Sequence, residues 1–335
     1  MADRLAESRF AERFALGTPV ALAPMALASG GELAAACAQA GALGLVGGAY
    51  GELDWVRREY SHAGDRLRDD GPARARLGCG FITWKMEQAR SALDWVLDTD
   101  VRPAAIMLSF GDPTGVAKPV IGLGIRLICQ IQSMAQLPQA VDAGASVIVA
   151  QGGEAGGHGM HAKEGRSTFT LVPEIADWIA AHAPDVLLLA AGGIADGRGL
   201  AAALMLGADG ALVGSRLWAT KESLAPPEAI AEAVSANGDG TARSAVFDIL
   251  REKDWPAQFD FRALRNRMHC EWEDRIEDLR ADSDAARASY RDGVASKDYA
   301  RAHVTVGEAT GMIRQAASAG EVLRAMHREA GALTR

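Results

Sequence analysis

Short apolar runs recur along the first two-thirds of the chain, each ending in glycine or a polar residue and each followed by a helical pattern. Continuous apolar runs of this kind suit parallel strands that are buried on both faces. They predict strands over residues 19–23, 43–46, 77–82, 104–109, 125–130, 146–150, 186–191 and 210–213. Eight strand–helix units in about 200 residues suit a closed (β/α)8 TIM barrel. A doubly wound open sheet would use the same units, and the strand count with its paired late glycine turns favours the barrel.

The helical segments carry recognisable ends. Ser29 with Glu32, and Ser133 with Gln136, fit the capping-box pattern, in which a hydroxyl and a carboxylate or amide satisfy free N–H groups. Asp196 is the expected N-cap of a helix over 197–206. Gly41, Gly144 and Gly207 stand where a helix should stop on a left-handed residue. An alanine-rich helix, a Gly-Ala pair, an apolar strand and a glycine turn recur as one unit, seen from Leu33, Ala135 and Leu200.

This rhythm breaks near Ser223. Residues 223–302 are richer in charge and in aromatics, among them Trp255, Trp272, Tyr290 and Tyr299, and helical stretches over 227–237 and 260–278 fit no strand–helix alternation. The expected organisation is a barrel over 1–222, completed by a helical tail in 303–335, with 223–302 as a small, mostly helical second domain capping the barrel mouth.

Composition narrows the class. Nearly half of the 335 residues are apolar and 23% are charged, enough to bury a large core. The net charge is −8 and basic residues are interspersed with acids, which argues against a nucleic-acid partner. Cys37, Cys79, Cys129 and Cys270 are far apart and form no C-x-x-C pair, so a reducing cytoplasm is expected and a zinc site or disulfide framework is not. The N-terminal MADRLAESRFAERF has no apolar signal core, and no stretch has the length and apolarity of a membrane span.

The candidate chemistry lies at strand ends. The seventh predicted strand runs into AAGGIADGRG and the eighth into GALVGSRLW. In many barrels the loops after strands seven and eight hold a phosphate, because glycine lets main-chain N–H groups approach the anion. Gly192, Gly193, Gly214 and Ser215 occupy those places. After the sixth predicted strand comes AQGGEAGGHGMH, residues 150–161, whose glycine pairs could pass beneath a planar ligand and present His158 as a proton acceptor or charge stabiliser. His161 is the competing histidine; with Glu154 the two histidines could suggest a metal, but a third well-spaced ligand is missing. Ala23, Pro24 and Met25 close the first strand, and Gln130 ends the fifth as an amide after an apolar run.

These motifs, namely APMA at 23–26, the block 128–159 containing EAGGHG, AAGGIADGRG, GALVGSRLWAT and GEATGMI in the tail, resemble the nitronate monooxygenase family. The resemblance implies bound FMN, lined by Ala23, Pro24 and Met25, with Gln130 and Gln151 at its polar edge and Gly156 and Gly157 passing close to it. It implies that Gly192, Gly193, Gly214 and Ser215 take the phosphate and that His158 is the active-site histidine. The implied reaction is oxidation of an alkyl nitronate, with dioxygen as the oxidant. The expected partners are thus a small-molecule substrate and dioxygen, with a homodimer as the assembly to look for. Two departures bear on the substrate end: Gly80 stands where many members carry an asparagine, and Gly159-Met160 follows the histidine where many have an X-Gly pair. The runner-up is an NAD(P)H-dependent FMN reductase of an enoyl thioester or quinone on the same scaffold. A barrel of phosphosugar or nucleotide metabolism, with phosphate but no flavin, is a third.

Overall fold

The computed structural model describes residues 5–86 and 90–334. Its strands are β1 (Val20–Leu22), β2 (Gly44–Ala49), β3 (Leu77–Ile82), β4 (Ala105–Ser109), β5 (Arg126–Ile131), β6 (Val147–Gln151), β7 (Gly157–Met160), β8 (Leu187–Ala191), β9 (Gly210–Val213), β10 (Thr241–Ser244) and β11 (Phe259–Leu264). Eight of them form one parallel sheet in the order β1-β9-β8-β6-β5-β4-β3-β2. Leu22 N–H donates to the Leu43 carbonyl at 2.9 Å and Leu43 N–H to that of Val20 at 3.0 Å, which joins the first strand to the second and closes the barrel. The eight are the strands expected from the apolar runs.

Both faces of these strands are buried, as their unbroken apolarity requires. Inward-facing Ala21, Leu45, Met107, Ile128, Val149, Leu189 and Leu212 fill the barrel, and Phe10 and Phe14 of the helix Arg9–Phe14 join that cluster. Phe10 packs on Gly210 and Arg126 lies over Phe14, both at strand starts, so this helix plugs the N-terminal end. The C-terminal mouth is therefore the end open to a ligand.

Helix boundaries follow the local chemistry. Asp196 caps the helix Gly197–Met205 by accepting from Arg198 and Gly199 N–H groups, and Ser133 with Gln136 forms a capping box. Gly41, Gly144 and Gly207 have φ of 87°, 92° and 94°. The box expected at Ser29 is absent. Gly30 is the N-cap of the helix Gly31–Gln39, and Glu59 from the next helix accepts the Gly31 N–H at 3.0 Å. Ser29 Oγ turns back to Met25 instead.

Within residues 223–302 the helices Pro227–Ser235, Val246–Leu250, Arg267–Trp272, Ile276–Ala281 and Asp284–Ser296 predominate. The helix expected over 260–278 is corrected at its start, where β11 runs between β10 and β7 in a three-stranded antiparallel sheet. Phe259, Phe261 and Ala263 alternate at period two and all are buried, so burial decides for a strand where local charge had suggested a helix. The tail helix Ala319–Leu333 packs on Gly197–Met205 and completes the outer ring; Glu329 accepts the Gly197 N–H at 3.0 Å.

Candidate active site

The floor of the mouth is built from small and amide side chains. Ala23, Pro24 and Met25 leave β1, and Ser29 Oγ holds the turn by accepting the Met25 N–H at 2.6 Å and donating to its carbonyl at 3.0 Å. Gly80 on β3 faces Pro24, and a Cβ there would lie 2.3 Å from Pro24 Cγ, so the asparagine expected here from the family resemblance has no room. Three amides are linked across β5 and β6. The His158 carbonyl accepts from Gln151 Nε2 at 2.9 Å, which fixes the orientation of that amide. Gln151 Oε1 then accepts from Gln130 Nε2 at 3.1 Å and Gln132 Nε2 at 2.9 Å. Gln132 Oε1 is buried and, among the described residues, has no partner. A cavity of about 230 Å³ opens beside Gln130, between Leu108, Gly111, Gln136 and Gln258.

The two glycine turns lie side by side, because Ala191 and Leu212 are register partners in β8 and β9 and each turn follows two residues later. Gly192 and Gly193 have φ of 102° and 74°, conformations that L side chains rarely adopt. A Cβ on Gly193 would meet nothing nearer than Glu154 Cβ at 3.8 Å, and one on Gly214 nothing nearer than Ala23 Cβ at 3.7 Å. Among the described residues, the N–H groups of Gly193, Gly214 and Ser215 donate to no protein atom. Open space and uncommitted N–H groups together fit a phosphate. Ser215 Oγ accepts the Gly307 N–H at 2.8 Å, which leaves its own proton to donate. Behind the turn, Thr168 Oγ1 lies 3.0 Å from Glu154 Oε2 and 3.1 Å from the Gly192 carbonyl, tying the turn to the loop after β6.

That loop carries the remaining sequence candidates. Gly156 abuts Val306 and Gly307, where a Cβ would lie 2.5 Å from backbone atoms, whereas Gly157 at φ 71° has only Thr305 Cγ2 at 3.7 Å. His158 sits in β7 opposite Phe261 and is nearly excluded from water. Its ring stacks on Trp255 and meets Phe110 and Phe261, and its Nε2 lies 2.9 Å from Asp248 Oδ1. Burial pushes its pKa down to about 4, against the raising effect of Asp248, so the imidazole is neutral near pH 7. His161 lies apart at the surface, with Nε2 3.4 Å from Asp260 Oδ2.

Segment 223–302 reaches the mouth directly. Trp255 Nε1 donates to Tyr50 Oη just past β2 at 2.9 Å, and its ring also meets Trp84, Phe110 and Phe259. Leu27, Ala49 and Phe110, at or beyond the ends of β1, β2 and β4, adopt left-handed backbone at φ 57°, 48° and 66°. Such conformations cost about 1–3 kcal/mol each and gather where a site dictates the backbone.

Asp248, Arg243 and Gln132 were not singled out from the sequence. Arg243 lies beneath the EAGGHG loop and donates to the carbonyls of Ala155 at 2.7 Å, Asp260 at 2.6 Å and Gly157 at 3.3 Å. Gly159 is its counterpart, since a Cβ there would lie 2.9 Å from the guanidinium. Only Gln132 had a readable signal, as a second amide two residues beyond Gln130 and therefore on the same face.

A plugged (β/α)8 barrel with an amide-lined floor, paired anion-ready turns and a buried neutral histidine has the makings of a cofactor-dependent barrel enzyme. A family model described as nitronate monooxygenase matches residues 83–329. Nitronate monooxygenase npaC of Metarhizium robertsii is 34% identical, over 93% of this chain and 90% of that protein. The nitronate monooxygenase of Neurospora crassa is 30% identical, over 92% and 88%. Among solved structures, FabK from Thermotoga maritima superposes with a TM-score of 0.80 at 25% identity, covering 97% of this chain and 96% of that one. Nitroalkane oxidase from Streptomyces ansochromogenes gives 0.77 at 21% identity, covering 95% and 96%, which speaks for the fold. The chain belongs to the nitronate monooxygenase family and is an oxidoreductase. The family is one of flavin enzymes. Among the described residues, no helix is long and apolar enough to cross a membrane.

Proposed function

We propose that this protein binds FMN at the barrel mouth and oxidises alkyl nitronates with dioxygen. The observation that carries the reading is the pair of adjoining turns at Gly193 and Gly214, open to an anion and lined with uncommitted N–H groups. Gly192, Gly193, Gly214 and Ser215 would hold the phosphate. Ala23, Pro24, Met25, Gln130, Gln151, Gly156 and Gly157 would hold the ring system. One phosphate site, with no second anion loop singled out among the described residues, suits a mononucleotide. When bound, the flavin supplies the two-electron oxidation and the reactivity toward dioxygen.

The protein's own part is orientation and proton handling. His158, neutral and buried, is the proton acceptor at the substrate face. We assign residues 1–222 and 303–335 to the barrel domain and 223–302 to a cap whose Trp255, Phe259 and Phe261 wall the substrate pocket. Buried free thiols at Cys37, Cys79 and Cys129 suit a cytoplasmic protein, and a homodimer is the assembly to measure.

The alternative, an NAD(P)H-dependent FMN reductase of an enoyl thioester or quinone, would use the same cofactor site. Anaerobic stopped-flow mixing separates the two. Propan-2-nitronate should bleach the flavin rapidly and NAD(P)H should not; rapid bleaching by NAD(P)H alone would replace the first reading with the second. FAD in the mass spectrum of the released cofactor would overturn the FMN assignment.

A further inference from the structure

His158 and Asp248 are 90 residues apart and come from different parts of the fold, yet His158 Nε2 lies 2.9 Å from Asp248 Oδ1. Both side chains are nearly closed off from water, 9% and 6% exposed. Among the described residues, Asp248 makes an ion pair with no arginine or lysine, and its Oδ2 meets no donor. The His158 ring makes no second hydrogen bond there, so Nδ1 is uncommitted. Trp255 and Phe261 hold the ring in place.

We infer that Asp248 is the positioning residue of the active-site histidine, fixing His158 as the Nε2–H tautomer so that Nδ1 is the proton-accepting atom. This rests on the reading of His158 as a proton acceptor. An ionised carboxylate only accepts hydrogen bonds, so the single proton of a neutral imidazole must lie on the nitrogen facing it. The lone pair is then left on Nδ1, on the far side of the ring. With a neutral nitroalkane in the pocket, the α-carbon proton passes to Nδ1 and its bonding pair stays on the substrate, which becomes the nitronate. The resulting imidazolium carries its positive charge beside the Asp248 carboxylate, which among the described residues pairs with no Arg or Lys. The other charged groups acting on His158 are Arg251 and Arg243, and both disfavour the imidazolium. Asp248 is therefore the group that supports a charged intermediate state of the histidine. It belongs to the helix Val246–Leu250, so the base is correctly set only when that segment packs on the loop after β6.

The test is long-range 15N–1H imidazole spectroscopy on the holoenzyme near pH 7, with the His158 signal identified by its loss in His158→Gln. The Nε2–H pattern is expected in the wild type. An Nδ1–H pattern or an imidazolium there would overturn the inference, with no variant needed and whatever the substrate. In Asp248→Asn the amide can donate to Nε2, so the pattern should switch to Nδ1–H. Flavin reduction by 2-nitropropane should then fall about 10²–10⁴-fold, while flavin content and far-ultraviolet dichroism remain those of the wild type. A merely structural tether predicts the opposite, that isosteric asparagine preserves the rate, and that result would also overturn the inference. A wild-type enzyme inert to both 2-nitropropane and propan-2-nitronate but showing the Nε2–H pattern would count against the proposed reaction while supporting the assignment of Asp248.

Discussion

Trp255 lies flat on His158, with ring centroids 3.4 Å apart and planes 12° from parallel. The indole comes from segment 223–302 and the imidazole from β7, so the stack joins the two. It also supplies much of the dry surface that keeps the imidazole neutral. Trp255→Ala should admit water and move the His158 pKa up from about 4 toward its ordinary 6.5. With His158 as the proposed proton acceptor the neutral form is the one that works, so the acidic limb of the kcat/KM profile should shift to higher pH. An unchanged limb would show that Trp255 does not set the environment of the base.

His158 and His161 are three residues apart and chemically alike, but only the first is buried among aromatics. His158→Ala should slow flavin reduction by a nitroalkane about 10²–10⁴-fold and leave cofactor content unchanged. His161→Ala should stay within a few-fold of wild type. Stopped-flow absorbance on both variants decides the assignment, and a crippled His161→Ala with a normal His158→Ala would reverse it.

Gly193→Asp should release the flavin and leave the barrel folded. The new carboxylate would occupy the open side of the turn and repel a phosphate by about 1–4 kcal/mol at roughly 4 Å in partly screened surroundings. Absorbance near 450 nm after gel filtration reads retention, with circular dichroism as the control. Full occupancy in the variant would mean that the phosphate lies elsewhere.

Gly80→Asn introduces the amide expected at this position from the family resemblance, yet it should harm this protein. Its Cβ would lie 2.3 Å from Pro24 Cγ, and the ring of a proline cannot fold away. Overpacking of this kind costs typically about 1–3 kcal/mol, which a lowered thermal midpoint would reveal. A variant as stable as wild type would show that the 23–25 turn yields to the side chain.

The barrel was legible because its strands are continuous apolar runs punctuated by glycine, a pattern that needs no knowledge of the partner strand. The glycine turn after β8 was legible for a related reason: Gly192 and Gly193 mark their own backbone need. Elsewhere the deciding partner is remote. β7 reads GHGM, with two glycines and no β-branched residue, and becomes a strand only because β11 lies beside it. The Ser29 pattern matched a capping box, yet Glu59, 27 residues after Glu32, supplies the carboxylate. Asp248 and Arg243 each meet the EAGGHG loop across nearly 90 residues of chain, a distance that local pattern does not encode.

The site is also completed late along the chain. Gly307 donates to Ser215 Oγ, Glu308 donates to the Glu154 carbonyl, and Gly156 rests against Val306 and Gly307. During synthesis, a ribosome that has released both glycine turns must still deliver some 90 more residues, the span from Ser215 to Gly307, before this brace can form. A nascent barrel thus passes through a period with its strands in hand and these turns unbraced. On the proposed placement of the phosphate, flavin capture would wait for that brace.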